Sequence, residues 1–473
     1  MEAQQFKGFW WFFGDKEEDI PGDLEVFEDG SFKLTVYYGS HTRLEKKLSP
    51  IVMTRYSQKI EVILGIAKSA KNKDVLFSLF DCEFEHFMFA KIREVSFRGR
   101  VLVKHALIED KRKVRLSAAF FKPQFIDTWV NEKSIRPDYD WSSKEYEINV
   151  HYKQPDPVTL YKDSNKHIYI YFRANFDGPP NQKFNLTQSV FINIAFNKSV
   201  GFVYLQMLVD KLRNWYSIAV GLPVAIDTFE AKVGKTNVSE EEKKVELHIK
   251  DDRIFTSINT LHKNADLIPF QGELVKNGQA LRNWFKNYEL IEPSLRIYID
   301  TLYNKHLYIQ NQFLNYVFAL EIYHKRKFNN TIPVTKTINH NRLERVLNCV
   351  HKKDYQWLKS KLERQKEAIN LEMRLTELFS IYSYISKPLR INTASSLKKI
   401  VNTRHRLVHH SEKAKTNQLL EETALENTAQ RLRIILQAIF LTEMGFDQVF
   451  IEKHIRRPFN NSYYFDMLKS RKV

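Results

Sequence analysis

The 473-residue chain has only two cysteines, Cys82 and Cys349, far apart in sequence. Two cysteines build neither a disulfide framework nor a cysteine-rich zinc site. A reducing, cytoplasmic compartment is the expectation. Glycine is scarce too, 14 residues in all, which argues against Gly-rich phosphate loops. Gly234-Lys235-Thr236 matches the end of such a loop, but the glycine required five positions before Gly234 is Phe229. No apolar run approaches the roughly 18 residues that span a membrane. The patch Phe9–Phe13 is short and runs into Asp15, Lys16, Glu17, Glu18 and Asp19, so it does not read as a signal peptide. There is no repeat period and no low-complexity tract. A His-Glu-x-x-His zinc helix is missing. Pro137-Asp138 and Pro155-Asp156 lack the acidic-x-Lys strand of a metal-dependent nuclease, and Cys349 with His351 falls below zinc-site density. No cofactor, no metal and no membrane partner are expected.

What is present is charge and apolar content. Apolar residues make up 43% and charged residues 27%, a globular composition. Lys and Arg number 73 against 56 Asp and Glu, a formal net charge of +17, which points to an anionic partner. The excess is not even. Residues 271–473 hold 34 basic and 19 acidic residues, a net of +15, which leaves 39 and 37, a net of +2, for residues 1–270. Nucleic-acid contact is therefore expected of the C-terminal part.

The pattern period changes at the same place. In the first part Phe32, Leu34, Val36 and Tyr38 alternate with polar residues, as do Tyr146, Ile148, Val150 and Tyr152, then Ile168, Ile170 and Phe172, then Val190, Ile192, Ile194 and Phe196. These read as half-buried strands. Asp177-Gly178-Pro179-Pro180 reads as a loop between two of them. Leu205, Leu208, Val209, Leu212 and Trp215 predict a helix that covers one sheet face and closes at Gly221 and Pro223. After Leu267–Gly272 the period becomes helical. Leu302, His306, Ile309, Phe313, Tyr316, Val317 and Leu320 form one stripe. Thr331-Ile332-Pro333 breaks the chain, about two helices are expected over Leu343–Tyr384, Pro388 breaks it again, and Ala394–His410 and Leu419–Met444 follow. The fold class is α+β and multidomain: a mainly-β domain over 1–265, or two small ones, then an antiparallel helical bundle over 270–473.

One constellation can carry chemistry, Arg404-His405-Arg406-Leu407-Val408-His409-His410. Spacing alone does not select it. With 26 Arg and 15 His, about 2.5 matches to Arg-x4–6-His arise by chance. Five occur: Arg98 or Arg100 with His105, Arg345 with His351, and Arg404 with His409 or His410. His105 follows Val101 and Val103 in a strand pattern. Arg345–His351 sits on a charged helix without other chemistry. Arg404 instead falls on the face marked by Leu397, Ile400, Val401 and Val408, and a buried guanidinium needs an anion, either a structural carboxylate or a bound phosphate. An ideal helix places His409 about 140° around from Arg404, while His405 and His409 are i,i+4 neighbours. The side chains converge if the helix ends near His409 or if a second copy faces the first. His410 reads as a solvated or capping residue, and Glu321 as a member of a structural ion pair.

Arg404 to His409, late in an all-α domain, resembles the HEPN ribonuclease motif. The chain as a whole resembles the ApeA-like proteins of bacterial anti-phage abortive infection. Gly8-Phe9-Trp10-Trp11 with Pro21-Gly22-Asp23-Leu24, and Phe318–His324, support the same resemblance. It implies a β-rich sensing or regulatory domain ahead of a HEPN domain. It also implies a metal-independent endoribonuclease with Arg404, His409 and His405 at the site, acting on RNA, tRNA among the candidates. The expected partners are a phage-derived protein trigger and a second copy, in a homodimer or higher oligomer joined through the HEPN domain. The bottom-up rival is a non-catalytic protein that binds RNA or an acidic protein through its basic helical surface.

Overall fold

A computed structural model describes residues 4–12, 19–39, 59–69, 72–88, 93–140, 147–177, 185–234, 243–250, 279–304, 306–328, 344–366, 369–409 and 418–456. The chain divides into two compact units. One is built on Met1–Tyr216 and Val224–Ser257, the other on Ser217–Pro223 and Gln279–Val473. The expected loops at Asp177–Pro180 (beyond Asp177 itself) and Thr331–Pro333, and the expected change of period near 267–272, lie outside the described residues.

The first unit carries strands β1 (Gln4–Phe12), β2 (Ile20–Val26), β3 (Phe32–Tyr38), β4 (Ile60–Lys68), β5 (Asp74–Met88), β6 (Arg93–Gly99), β7 (Val101–Lys104) and β8 (Leu116–Pro123). Helix α1 (Ile126–Val130), β9 (Ile135–Asp140), β10 (Glu147–Tyr152), β11 (Val158–Lys162), β12 (Lys166–Asp177), β13 (Asn185–Val200), α2 (Phe202–Val220), β14 (Ile226–Val233) and β15 (Lys243–Ile249) follow. Strands β1, β2, β3, β6, β5 and β4 pair in that cyclic order and close a barrel. Closure depends on β5. Its first half pairs with β7 and its second half with β6, and Asp81, between the two halves, has the left-handed φ of 54°. Beyond β7 the sheet continues through β15, β14, β8, β13 and β12 to β11.

The barrel interior is the inward half of the alternating strands. Phe32, Leu34 and Val36 are fully buried beside Leu24, Phe77, Leu79 and Phe97. Trp10 lies across Gly65, where a Cβ would meet its ring at 2.1 Å, and its indole N–H donates to the Gly22 carbonyl at 3.1 Å. Gly8 and Gly22 face one another across β1 and β2. The opening aromatic and glycine stretches therefore build the barrel. In the rest of the sheet Val190, Ile192 and Ile194 are buried as expected, but so are Phe191 and Asn193 on the opposite side of β13. The Trp129 ring sits edge-on to Trp215 and Tyr216 of α2, and Tyr216 donates to the Gln124 carbonyl.

One expected strand face is corrected. Val150 does not turn into a core; it is 46% exposed, while Tyr152 on the same face is half-buried, its ring edge-on to Phe176. Among the described residues β10 pairs with β9 alone, and a two-stranded ribbon has no interior to offer. Tyr146 lies outside the described residues.

The second unit carries α3 (Ala280–Tyr303), α4 (Ile309–Phe328), α5 (Lys352–Lys366), α6 (Leu371–Ile381), α7 (Ser383–Ser386), α8 (Ala394–His409), α9 (Glu422–Glu443) and α10 (Gln448–Ile455). The stripe Leu302–Leu320 belongs to two helices, because the chain turns at 304–308. The Asn304 side chain accepts from the His306 N–H at 3.2 Å, a local bond that competes with helix. The stretch expected to hold two helices contains a short helical segment at 344–348, then α5, α6 and α7. Asn370 caps α6 by accepting from the Met373 N–H. Helix α4 is central and packs against α3, α6, α8 and α9.

Pro293 sits inside α3. It has no N–H for the Glu289 carbonyl one turn earlier. Arg326 of α4 supplies the missing donor, bonding the Glu289 oxygen at 2.7 Å and the Leu290 oxygen at 2.9 Å. The Ser294 hydroxyl donates back to the Ala319 carbonyl at 2.7 Å in the buried seam, so the helix defect is repaired between the two helices that carry the unit.

Candidate active site

Helix α8 buries Leu397, Ile400 and Thr403. Thr393 holds its start by accepting from the Ser396 N–H. Near its end, Thr403 accepts from the Leu420 N–H at 3.0 Å and Asn402 donates to Gln418 at 3.4 Å, which pins the turn that carries Arg404. The buried face runs through Thr403 rather than Val408, which is 37% exposed. Arg404 therefore lies at the border of the face and not in its centre.

Its side chain leans on α4. The guanidinium lies over the Phe318 ring at 5.4 Å and pairs with Glu321 at 3.8 Å, with the two side chains 22% and 17% exposed. That distance is an ion pair without a good hydrogen bond. The Arg404 Nε is buried with no hydrogen-bond partner among the described residues. Glu321 has a closer cation in Lys325, one helical turn on, at 2.8 Å. So the guanidinium is held by an aromatic face and a shared carboxylate, and keeps donor capacity in hand.

His405 and His409 are exposed and lie ring to ring, 4.7 Å between centroids. This is the i,i+4 neighbour relation of a regular helix. Because α8 stays helical to His409, the imidazole pair and Arg404 point to different sides of the helix within one chain. Helix α8 ends at His409, as the first of the two conditions for convergence requires. His410 lies outside the described residues.

Behind the site is a buried ionic group that the sequence did not announce. His324 is fully buried, with Nε2 2.8 Å from Glu377 and Nδ1 3.0 Å from the Arg374 guanidinium. Arginine only donates, so Nδ1 accepts and Nε2–H donates to Glu377. Burial pushes the Arg374 pKa down, opposed by the charges of Glu321 and then Glu377. Glu321, which pairs with Arg404, is thus also within electrostatic reach of Arg374. Lys325 and Arg374 are the members sequence reasoning missed. The Glu321–Lys325 spacing was a readable i,i+4 signal; Arg374 comes from another helix and left none.

The other three Arg/His matches use two histidines. His105 is exposed at the end of β7, with φ 74°, and His351 is exposed just before α5. No helix among the described residues is long and apolar enough to cross a membrane.

Comparison with known proteins adds two family matches. The model for ApeA N-terminal domain 1 matches residues 5–284, more than half of the chain, and the model for Apea-like HEPN matches residues 314–450. No curated protein and no solved structure matches. The HEPN match contains most of α4 and all of α6, α8 and α9, hence the whole Arg404 cluster, and with both models in order along one chain this protein belongs to the ApeA-like family of defence-associated HEPN nucleases.

Proposed function

We propose that the chain is a metal-independent endoribonuclease, the effector of an abortive response to phage that acts on RNA in the cytoplasm. The observation that carries the reading is Arg404. It is a partly buried guanidinium on the helix that also bears His405 and His409, with an Nε that has no partner among the described residues and a carboxylate held at ion-pair distance only. A guanidinium fork matches a phosphate with two parallel N–H bonds, which is the role given to Arg404 here.

An imidazole titrates near neutral pH and takes the proton from an RNA 2′-OH. The 2′-oxygen attacks the adjacent phosphorus. Arg404 holds the phosphate and offsets the charge that builds on its oxygens. A second imidazole returns a proton to the leaving 5′-oxygen. His409 is the main proton carrier in this scheme and His405 orients it. The products are a 2′,3′-cyclic phosphate and a 5′-OH, and DNA, lacking the nucleophile, is not cut. The β-rich unit senses a phage protein and restrains the nuclease.

The Glu321 pair also favours a rival in which Arg404 is structural and the basic helical unit only binds RNA or an acidic protein. RNA from phage-infected cells that express wild type or Arg404→Ala separates the two. New 2′,3′-cyclic phosphate ends that appear with wild type and vanish with the variant support the nuclease. RNA bound without any such ends supports the rival.

A further inference from the structure

Helix α5 is unlike the other helices of its unit. Its sequence carries six basic residues, Lys352, Lys353, Lys359, Lys361, Arg364 and Lys366, against Asp354 and Glu363, a net of +4 in 15 residues. No other described element packs extensively against it. A helix of this length, polar on nearly all sides, gains little from burial. Yet it displays the largest apolar side chain there is: Trp357 is 62% exposed. Lys353 sits one turn before Trp357, and on the neighbouring face Lys359 lies over the Tyr355 ring at 5.9 Å.

We infer that α5 is a docking surface for single-stranded RNA, with Trp357 as a platform on which an unpaired base stacks and Lys352, Lys353 and Lys359 as phosphate contacts. The inference rests on the RNA reading above and adds where the substrate is gripped and in what form. Charge complementarity selects the occupant. A self-association seam would use a continuous apolar stripe; the short stripe of this helix, Tyr355, Leu358 and Leu362, leaves out the exposed Trp357, which stands among ammonium groups. Stacking also selects the strand state, because bases inside a duplex have no free face. RNA with a loop or an unpaired end is therefore preferred over blunt duplex.

The test uses the full chain and a 2′-O-methyl RNA hairpin with a loop of about seven nucleotides, which has no nucleophile to be cut, beside a blunt duplex of the same stem. Trp357→Ala is expected to weaken hairpin binding about 5- to 150-fold, the effect of losing one stacked base, and to leave duplex binding and thermal stability unchanged. Trp357→Phe should recover most of the affinity. Replacing Lys352, Lys353 and Lys359 together by Gln should flatten the slope of log K against log salt by about 2, whereas Trp357→Ala leaves the slope alone. Wild-type hairpin affinity in Trp357→Ala overturns the inference, as does equal loss on hairpin and duplex. A change in molecular size without a change in RNA affinity makes this face a protein interface and also overturns it. If wild type binds neither RNA, the RNA reading falls as well; if wild type binds and Trp357 is indifferent, only this inference does.

Discussion

Arg404 was legible in the sequence as a cation on an apolar face, but neither its place at the border of that face nor its partner was. The spacing from Ile400 put it near the core, while the identity of its carboxylate depended on how α4 and α8 cross. Glu321 was visible only as an acid inside an apolar stretch. The expected outcome is that Arg404→Ala and His409→Ala each lower RNA cleavage by a factor of about 10² to 10⁴, the range for losing a charge-stabilising or proton-transferring group, with unfolding midpoints close to wild type. His105→Ala and His351→Ala should keep full activity, since their matches are of the number that chance supplies. Single-turnover cleavage of one labelled RNA by all four variants checks this. Full activity in either of the first two would remove that residue from the site. His324 makes a different prediction. It is buried between Arg374 and Glu377, so His324→Leu leaves a guanidinium and a carboxylate without their shared partner. A loss of about 3 kcal/mol is expected, measured by urea unfolding.

At the scale of elements, alternation was a reliable guide wherever a strand had a core to face, as in β3 and β12. It misled at β10, whose pattern is the same but whose only described partner is β9. Period alone cannot tell a strand with a filled interior from a ribbon, because the difference lies in what pairs with it. The break between α3 and α4 was hidden for a related reason. Asn304 ends the helix through a side-chain bond, and the apolar stripe runs on across the turn. The repair of Pro293 by Arg326 gives a coupled prediction. Arg326→Ala should cost about 1 kcal/mol in the wild-type background. In a Pro293→Ala background, where residue 293 has its own N–H for the Glu289 carbonyl, it should cost less than half of that. Equal costs in both backgrounds would show that Arg326 does not serve this carbonyl. In the β-rich unit, the hydrogen bond from His248, then the nearby Lys104 charge, hold the Glu246 carboxyl at about 2, well below its ordinary value. A depressed carboxylate contributes stability above its unfolded pKa of about 4.5 and loses it as pH falls toward 2. With Glu246 partly exposed, about 1 kcal/mol is at stake after screening. Urea midpoints of wild type should therefore fall more steeply between pH 5 and pH 2 than those of Glu246→Gln.

For the whole molecule, charge and period together announced a β-rich part and a basic helical part. They did not announce the barrel, whose closure rests on pairings between β5 and β6 and between β1 and β4 that no local signal encodes. Nor did they show how one chain's Arg404 and His409 would meet, and the fold sharpens that question. Arg404 turns toward α4 while the imidazoles of His405 and His409 face solvent on the other side of α8, with Val408 exposed beside them. Cleavage by 2′-OH attack is best served by a base for the nucleophile and an acid for the leaving oxygen. Two copies of α8 across a two-fold axis supply both, and they place two guanidiniums near one phosphate. The active form is therefore expected to be at least a dimer joined through the helical units. Light scattering and cleavage rate, followed together down one dilution series, check this: specific activity should fall as dimer gives way to monomer. Mixing an excess of Arg404→Ala chains with wild type offers an independent reading. If the site is composite, the inactive chains should depress activity beyond simple dilution, because mixed dimers carry one guanidinium in place of two. A monomer that keeps full specific activity would leave the imidazoles and Arg404 to act from opposite sides of one helix, and the composite mechanism would have to be abandoned.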